Sequence, residues 1–165
     1  MQVALISDTH IPSRASEVPT AFAERVRTAD HTLHAGDFDS KGAFATVRAM
    51  AGAEAFTAVS GNMDRGLGLP DVRTVEFGGV EFVVTHGTGP AHSYRERVAD
   101  TVRAHAETDS AVGVAGHTHE PLDTHHDGVR LLNPGSVTDA SPAERATMMT
   151  ATVDGGELTV QLHER

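Results

Sequence analysis

The chain has 165 residues, a formal net charge of −10, one lysine (Lys41) and no cysteine. That length suits a single domain, taken as 1–165, with a sizeable core. The charge disfavours nonspecific binding to nucleic acid or anionic membrane, and the missing thiols exclude disulfides and thiolate metal sites, so any metal must be held by nitrogen and oxygen.

In chain order, a strand is predicted at 2–7. It is too short for a membrane span, which needs ~20 apolar residues. It also lacks the basic flank of a signal peptide, so a cytoplasmic protein is expected. A helix (19–28), a strand (31–34), a helix (41–52) and a strand (56–60) follow. This βαβαβ start implies a parallel sheet with right-handed crossovers. Two strands, 72–77 and 80–85, are joined by Gly78-Gly79, a good hairpin turn. A helix is predicted over 93–107, with Ser93 as cap and Glu96 three residues on. Strands then dominate: 112–115, 122–126, 129–133, 147–153 and 157–162, with turns at Asp127-Gly128 and Gly155-Gly156. A hairpin-rich second half implies a second, mixed sheet packed on the first. The expected fold class is α/β, a sandwich with helices outside and two β-sheets inside.

Short apolar runs end repeatedly in polar fragments: Asp8-Thr9-His10, Gly36-Asp37, Gly61-Asn62-Met63-Asp64, Thr85-His86-Gly87 and Gly116-His117-Thr118-His119. A buried strand presents such residues at the carboxyl edge of its sheet, where ligands of open α/β sheets gather. Five strand ends of this kind describe one site with seven candidate metal donors: Asp8, His10, Asp37, Asn62, His86, His117 and His119. Residues i and i+2 can converge where a strand gives way to a loop. Seven donors suffice for two ions sharing one carboxylate, and a carboxylate such as Asp37 has the two oxygens to bridge them. The nitrogen and oxygen mix suits Mn²⁺, Fe, Zn²⁺, Ni²⁺ or Co²⁺ better than Ca²⁺. Two such ions about 3.5–4 Å apart can activate a bridging hydroxide and stabilise charge on a phosphoryl oxygen.

In this order the fragments resemble the calcineurin-like metallophosphoesterase family. The later Asn133-Pro134-Gly135-Ser136 resembles its small, single-domain YfcE-type branch. The resemblance spans Met1 to about Val153. It implies a four-layer αββα sandwich with two mixed β-sheets. It also implies one metal on Asp8, His10, Asp37 and His119, and a second on Asp37, Asn62, His86 and His117, with Asp37 as bridge. Asp37, Asn62 and His86 are then also the residues expected in catalysis, and manganese is the first choice of ion. Many family members carry His after the Asn, where it assists the leaving group. Here the residue is Met63, whose thioether cannot donate a proton. The implied function is a dinuclear phosphoesterase, foremost a phosphodiesterase acting on a small phosphate ester. The alternative is a non-catalytic scaffold of the same fold, as in the retromer's related subunit. A nuclease is disfavoured because this short acidic chain shows no added DNA-holding domain. The sequence leaves homo-oligomerisation open.

His34 is expected to pack or to orient a ligand. His92, in the loop after His86, is expected to be exposed, although it could reach a substrate. Asp64 is expected to be structural, and Arg65 to contact phosphate or solvent. Asn133 to Ser136 should shape a turn near the metals, with no nucleophilic role for Ser136. His31, His105, His125, His126 and His163 are expected at surface or edge positions.

Overall fold

The computed structural model describes residues 1–165. Its strands are β1 (Gln2–Ile6), β2 (His31–His34), β3 (Phe56–Ala58), β4 (Val72–Phe77), β5 (Val80–Thr85), β6 (Val112–Val114), β7 (Leu122–His126), β8 (Val129–Asn133), β9 (Thr147–Asp154) and β10 (Glu157–Glu164). Three helices join them: α1 (Thr20–Thr28), α2 (Lys41–Ala51) and α3 (Tyr94–His105).

The strands form two five-stranded sheets, ordered β10-β9-β1-β2-β3 and β4-β5-β6-β8-β7. In the first, β1, β2 and β3 are parallel while β9 and β10 run antiparallel. In the second, β5, β6 and β8 are parallel, with antiparallel β4 and β7 at the edges. The C-terminal hairpin β9–β10 therefore extends the first sheet, although the sequence order alone had grouped it with the second. Met149 to Thr152 pair along β1 and close the side of that strand away from β2.

The β1 sequence explains why its residues form a central strand. Val3 and Leu5 face the other sheet, in a core shared with Leu33, Phe82, Val84, Val114 and Leu132. Ala4 and Ile6 face the opposite way, against Phe22, Val26 and Val47 of α1 and α2. A strand buried on both faces reads as a continuous apolar run, as here. On the outer face of the second sheet, α3 lays down Tyr94, Val98, Ala99 and Val102, which share one helix face. The layers are thus helix, sheet, sheet, helix.

Ser93 stands at the start of α3, but its side chain caps no backbone N–H. Its hydroxyl instead accepts from the Arg97 guanidinium at 2.8 Å. Of the histidines expected at surface or edge positions, His31 and His163 are covered to differing degrees. His31 is half-buried on interior strand β2, with its ring 4.6 Å from that of Phe77. His163 is on edge strand β10, yet it is buried and bonded to Thr150 Oγ1 at 2.8 Å. In each case a neighbour on another strand, Phe77 of the facing sheet or Thr150 of adjacent β9, gives the ring a partner that alternation along the strand does not reveal. No helix is long and apolar enough to cross a membrane.

Candidate metal centre

Six parallel strands from both sheets end at one rim, and the polar fragments follow five of them. Asp8 and His10 follow β1, Asp37 follows β2, Asn62 follows β3, His86 follows β5, and His117 and His119 follow β6. The turn Asn133 to Ser136 follows β8 and braces the rest: Ser136 Oγ donates to Asp8 O at 2.8 Å, and the Asn133 amide donates to Gly116 O at 3.0 Å. Ser136 is fully buried in this role.

The backbone leaves each strand through a left-handed twist. Asp8 and His10 have φ of 53° and 45°, Asp37 and Asp39 of 64° and 76°, His117 and His119 of 73° and 62°. Each pair is separated by one residue. Two left-handed residues flanking a third turn both side chains into the rim and send the middle one away. Asp and His tolerate this region better than most residues. The strain, of order 1–3 kcal/mol per residue, is offset by crossed backbone bonds such as Asp8 N to Gly36 O and His10 N to Asp37 O. Glycine is obligatory where the chain passes closest: a Cβ on Gly61 would collide with the Asp37 carboxylate.

All seven predicted donors converge. Asp8 Oδ1 lies 3.2 Å from His119 Nε2 and 3.7 Å from His10 Nε2. The two imidazole Nε2 atoms face each other at 3.1 Å. Asp37 Oδ2 lies 3.5 Å from His10 Nε2 and 3.2 Å from His86 Nε2. Asn62 Oδ1 is 3.1 Å from His86 Nε2 and 3.2 Å from His117 Nδ1. Asp8, His10, Asp37, His86 and His119 are buried, whereas Asn62 is exposed at the mouth.

For His10, His86 and His119 the outer nitrogens face acceptors, which leaves the lone pair on the inner nitrogen. His119 Nδ1 donates to Ala140 O at 2.8 Å and His86 Nδ1 to Ala35 O at 2.7 Å. His10 Nδ1 donates to Asp39 Oδ1 at 2.8 Å. Their Nε2 lone pairs therefore point inward. His117 is inverted: Nε2 meets the Gly89 backbone, 3.1 Å from its O and 3.4 Å from its N, and Nδ1 faces the site. Acceptors thus face acceptors around the two carboxylates, and Asp8 Oδ1 is buried without any hydrogen-bond partner. An unpaired buried carboxylate oxygen is costly. This donor set fits divalent cations, and two overlapping groups of three have the spacing for them: Asp8, His10, His119 and Asp8, Asp37, His86.

The ionisation of the groups shows the same demand for positive charge. Burial pushes the Asp8 carboxyl up, but His10, His119 and His86 outweigh it and hold it well below the usual range. Asp37 is lowered too: burial opposes this, and the His86 contact overcomes it. His10 and His86 are both raised, since Asp8 and Asp37 more than offset their burial. His117 is lowered by burial and by neighbouring His86.

His34 stays outside the donor cluster. Nδ1 accepts from Gly36 N at 3.1 Å, Nε2 meets Thr9 Oγ1 at 2.8 Å, and the ring stacks on Phe38 at 3.7 Å. Burial pushes its pKa down to about 3, so it is neutral and ties β1 to β2 behind the rim. His92 and Arg65 are exposed. Asp39 is the residue that the sequence reading missed. It orients His10, as carboxylates commonly orient ligating histidines. Its signal was present in the i+2 spacing of Asp37-Phe38-Asp39, which repeats that of Asp8 and His10.

Asp64 is the anchor of the loops. Its buried carboxylate accepts from the backbone N–H of Asp37 at 2.6 Å, Phe38 at 2.8 Å, Asp39 at 3.1 Å and Gly61 at 2.8 Å. Bonds to a charged acceptor contribute about 1.5–3 kcal/mol each, and truncation strands all four donors. Asp64→Ala should therefore cost more than about 3 kcal/mol. Asp64→Asn, which keeps one carbonyl oxygen, should cost less. Denaturant unfolding of the metal-free protein measures both, and a loss under about 1 kcal/mol for Asp64→Ala would remove Asp64 from this role.

Residues 1–156 match the model of the calcineurin-like phosphoesterase superfamily domain. A probable metallophosphoesterase of Methanothermobacter thermautotrophicus is 34% identical over 165 residues, covering 98% of this chain and 91% of that protein. Another, from Methanocaldococcus jannaschii, is 33% identical over 138 residues, covering 84% of this chain and 69% of that protein. Among solved structures, wild-type Vps29 of Entamoeba histolytica complexed with zinc shares the fold at a TM-score of 0.80 with 26% identity, covering 100% of this chain and 98% of that one. With a match over nearly its whole length and a rim of candidate metal donors where its parallel strands end, this chain belongs to the calcineurin-like phosphoesterase superfamily.

Proposed function

We propose that the protein is a dinuclear metal-dependent phosphodiesterase acting on a small phosphate ester. The observation that carries this reading is the orphaned Asp8 Oδ1, set among inward-facing histidine lone pairs. Asp8, His10, Asp37 and His119 would hold one ion, and Asp37, Asn62, His86 and His117 the other. Asp37 Oδ2 is nearer than Asp8 Oδ1 to both His10 (3.5 against 3.7 Å) and His86 (3.2 against 4.0 Å), which favours Asp37 as the bridge. Ions bound there, manganese foremost, supply Lewis-acid stabilisation of charge on phosphoryl oxygens and lower the pKa of attacking water.

The chain's own residues do the positioning. Asn62, neutral and exposed, marks the open side from which the phosphate approaches. Beyond His117 a groove of about 470 Å³, lined by Ala91, Arg95, Thr118, Glu120 and Leu122 among others, has room for the ester's organic part. No side chain with an acidic proton stands at position 63, so the reading favours esters with good leaving groups. The zinc-complexed Vps29 structure supports metal binding by this fold. Likeness to Vps29 also favours a second reading, a scaffold without turnover. The complete donor set supports catalysis.

The test is metal removal. Chelation should lower the melting temperature, because ions that bind only the folded state stabilise it by mass action. It should also abolish hydrolysis of a nitrophenyl diester, and Mn²⁺ should restore both. Full activity in metal-free protein would refute the metal-dependent reading. Metal binding without turnover on a broad ester panel would favour the scaffold.

A further inference from the structure

His117 is the one candidate ligand that faces the site through Nδ1, and its orientation depends on a loop that carries no donor. That inversion sets Nε2 against the Gly89 backbone, 3.1 Å from its O and 3.4 Å from its N. Gly89 lies in the segment between β5 and α3, and its φ of 137° is one that other residues rarely adopt. Within the loop, Ser93 N and Oγ donate to Pro90 O at 3.3 and 3.4 Å, but no bond within the loop reaches Gly89 itself.

Arg97, on the second turn of α3, holds it from behind. Its guanidinium donates to Gly87 O at 2.9 Å, to Pro90 O at 3.1 Å and to Ser93 Oγ at 2.8 Å. It packs directly under Gly89: a Cβ there would come within 2.7 Å of Arg97 Cζ. One planar group thus ties the carbonyls on both sides of Gly89 and supports the peptide between them. A guanidinium suits this because its donors form a rigid fork. The commitment is visible in its cost, since the buried Arg97 Nε has no partner of its own.

We infer that Arg97 is a positioning residue, which holds the Gly89 backbone against His117 Nε2 and thereby keeps Nδ1 turned toward the ion of the Asn62, His86 and His117 side. The inference rests on the dinuclear reading above. Losing the partner that orients a ligating histidine typically lowers metal affinity about 10–100-fold. The effect should be confined to one ion, because His10 and His119 are oriented by Asp39 and Ala140, which Arg97 does not touch.

The experiment is Mn²⁺ titration by calorimetry on metal-free wild type, Arg97→Ala, Arg97→Lys, His117→Ala and the Arg97→Ala/His117→Ala double variant, with melting temperatures of the metal-free proteins alongside. Wild type should take up two ions. Arg97→Ala should weaken one by about 10–100-fold and leave the other unchanged, and Arg97→Lys should recover part of the loss. In the His117→Ala background the Arg97 substitution should have no further effect on metal affinity, since coupled residues are non-additive. A purely structural arginine would lower the melting temperature in both backgrounds and weaken both ions together. That result, or full additivity, overturns the inference. Binding of no second ion by wild type would instead overturn the dinuclear reading, and this inference with it.

Discussion

Asp37→Asn should reduce turnover to background while the protein still folds. The substitution keeps the shape and the oxygen that accepts from Met63 N at 2.8 Å. It removes the negative charge from the atom standing between His10 and His86. If Asp37 is shared by two ions, both lose an anionic ligand at once, so two binding steps weaken together. His34→Ala makes the informative contrast. His34 is as deeply buried and only three residues away, but it meets Thr9 and Gly36 rather than the donor cluster. Its removal should cost packing and about 10–100-fold in metal affinity, recoverable by raising the Mn²⁺ concentration. The measurement is diesterase activity against Mn²⁺ concentration for both variants. Recovery of His34→Ala at high metal, with no recovery of Asp37→Asn, is the expected pattern. If His34→Ala loses turnover as completely and as irretrievably, the assignment of roles is wrong.

The contrast between these neighbours also marks what a sequence can disclose. Both follow or end the same strand, and both are polar residues at an apolar run's end. The i+2 spacing placed Asp8 with His10 and His117 with His119, but its physical basis is not the pleat of a strand. It is a pair of left-handed residues after the strand has ended. Spacing alone therefore picks out the candidate donor pairs while hiding the conformation that makes them converge. Asp39 shares that conformation and that spacing with Asp37. It was passed over because a carboxylate that serves another residue looks no different in sequence from an exposed one.

The same limit applies to the fold. The apolar runs and the Gly-Gly and Asp-Gly turns located every strand, because alternation and turn chemistry are local. Which sheet receives β9 and β10 is not local. It depends on the long free edge of β1, which pairs with Met149 to Thr152 across most of the chain's length. The role of Arg97 was invisible for a related reason. On an exposed helix pattern it reads as a solvated cation, and only the return of the 87–93 loop over α3 gives it three acceptors.

Met63→His should speed hydrolysis of alkyl diesters far more than that of nitrophenyl diesters. An aryloxide departs as a stable anion and needs no proton, whereas an alkoxide must be protonated as the P–O bond breaks. The wild-type thioether cannot donate one, so the wild-type rate should fall steeply as leaving-group pKa rises. Position 63 is well placed to change this. Its side chain is 44% exposed at the mouth beside Asn62, while its backbone is fixed through the bond from Met63 N to Asp37 Oδ1 and through the buried Asp64 that follows. An imidazole there would start from an anchored backbone, which limits how far it strays. General acid catalysis typically contributes about 10²–10⁴-fold, and the gain for alkyl esters should approach that range if the ring reaches the leaving oxygen. The comparison is the slope of log rate against leaving-group pKa for both proteins at matched metal content. Flattening in Met63→His is the expected result. A wild-type slope that is already shallow, and unchanged by the substitution, would mean that some other group delivers the proton and that the thioether at position 63 does not limit the range of esters this site can cleave.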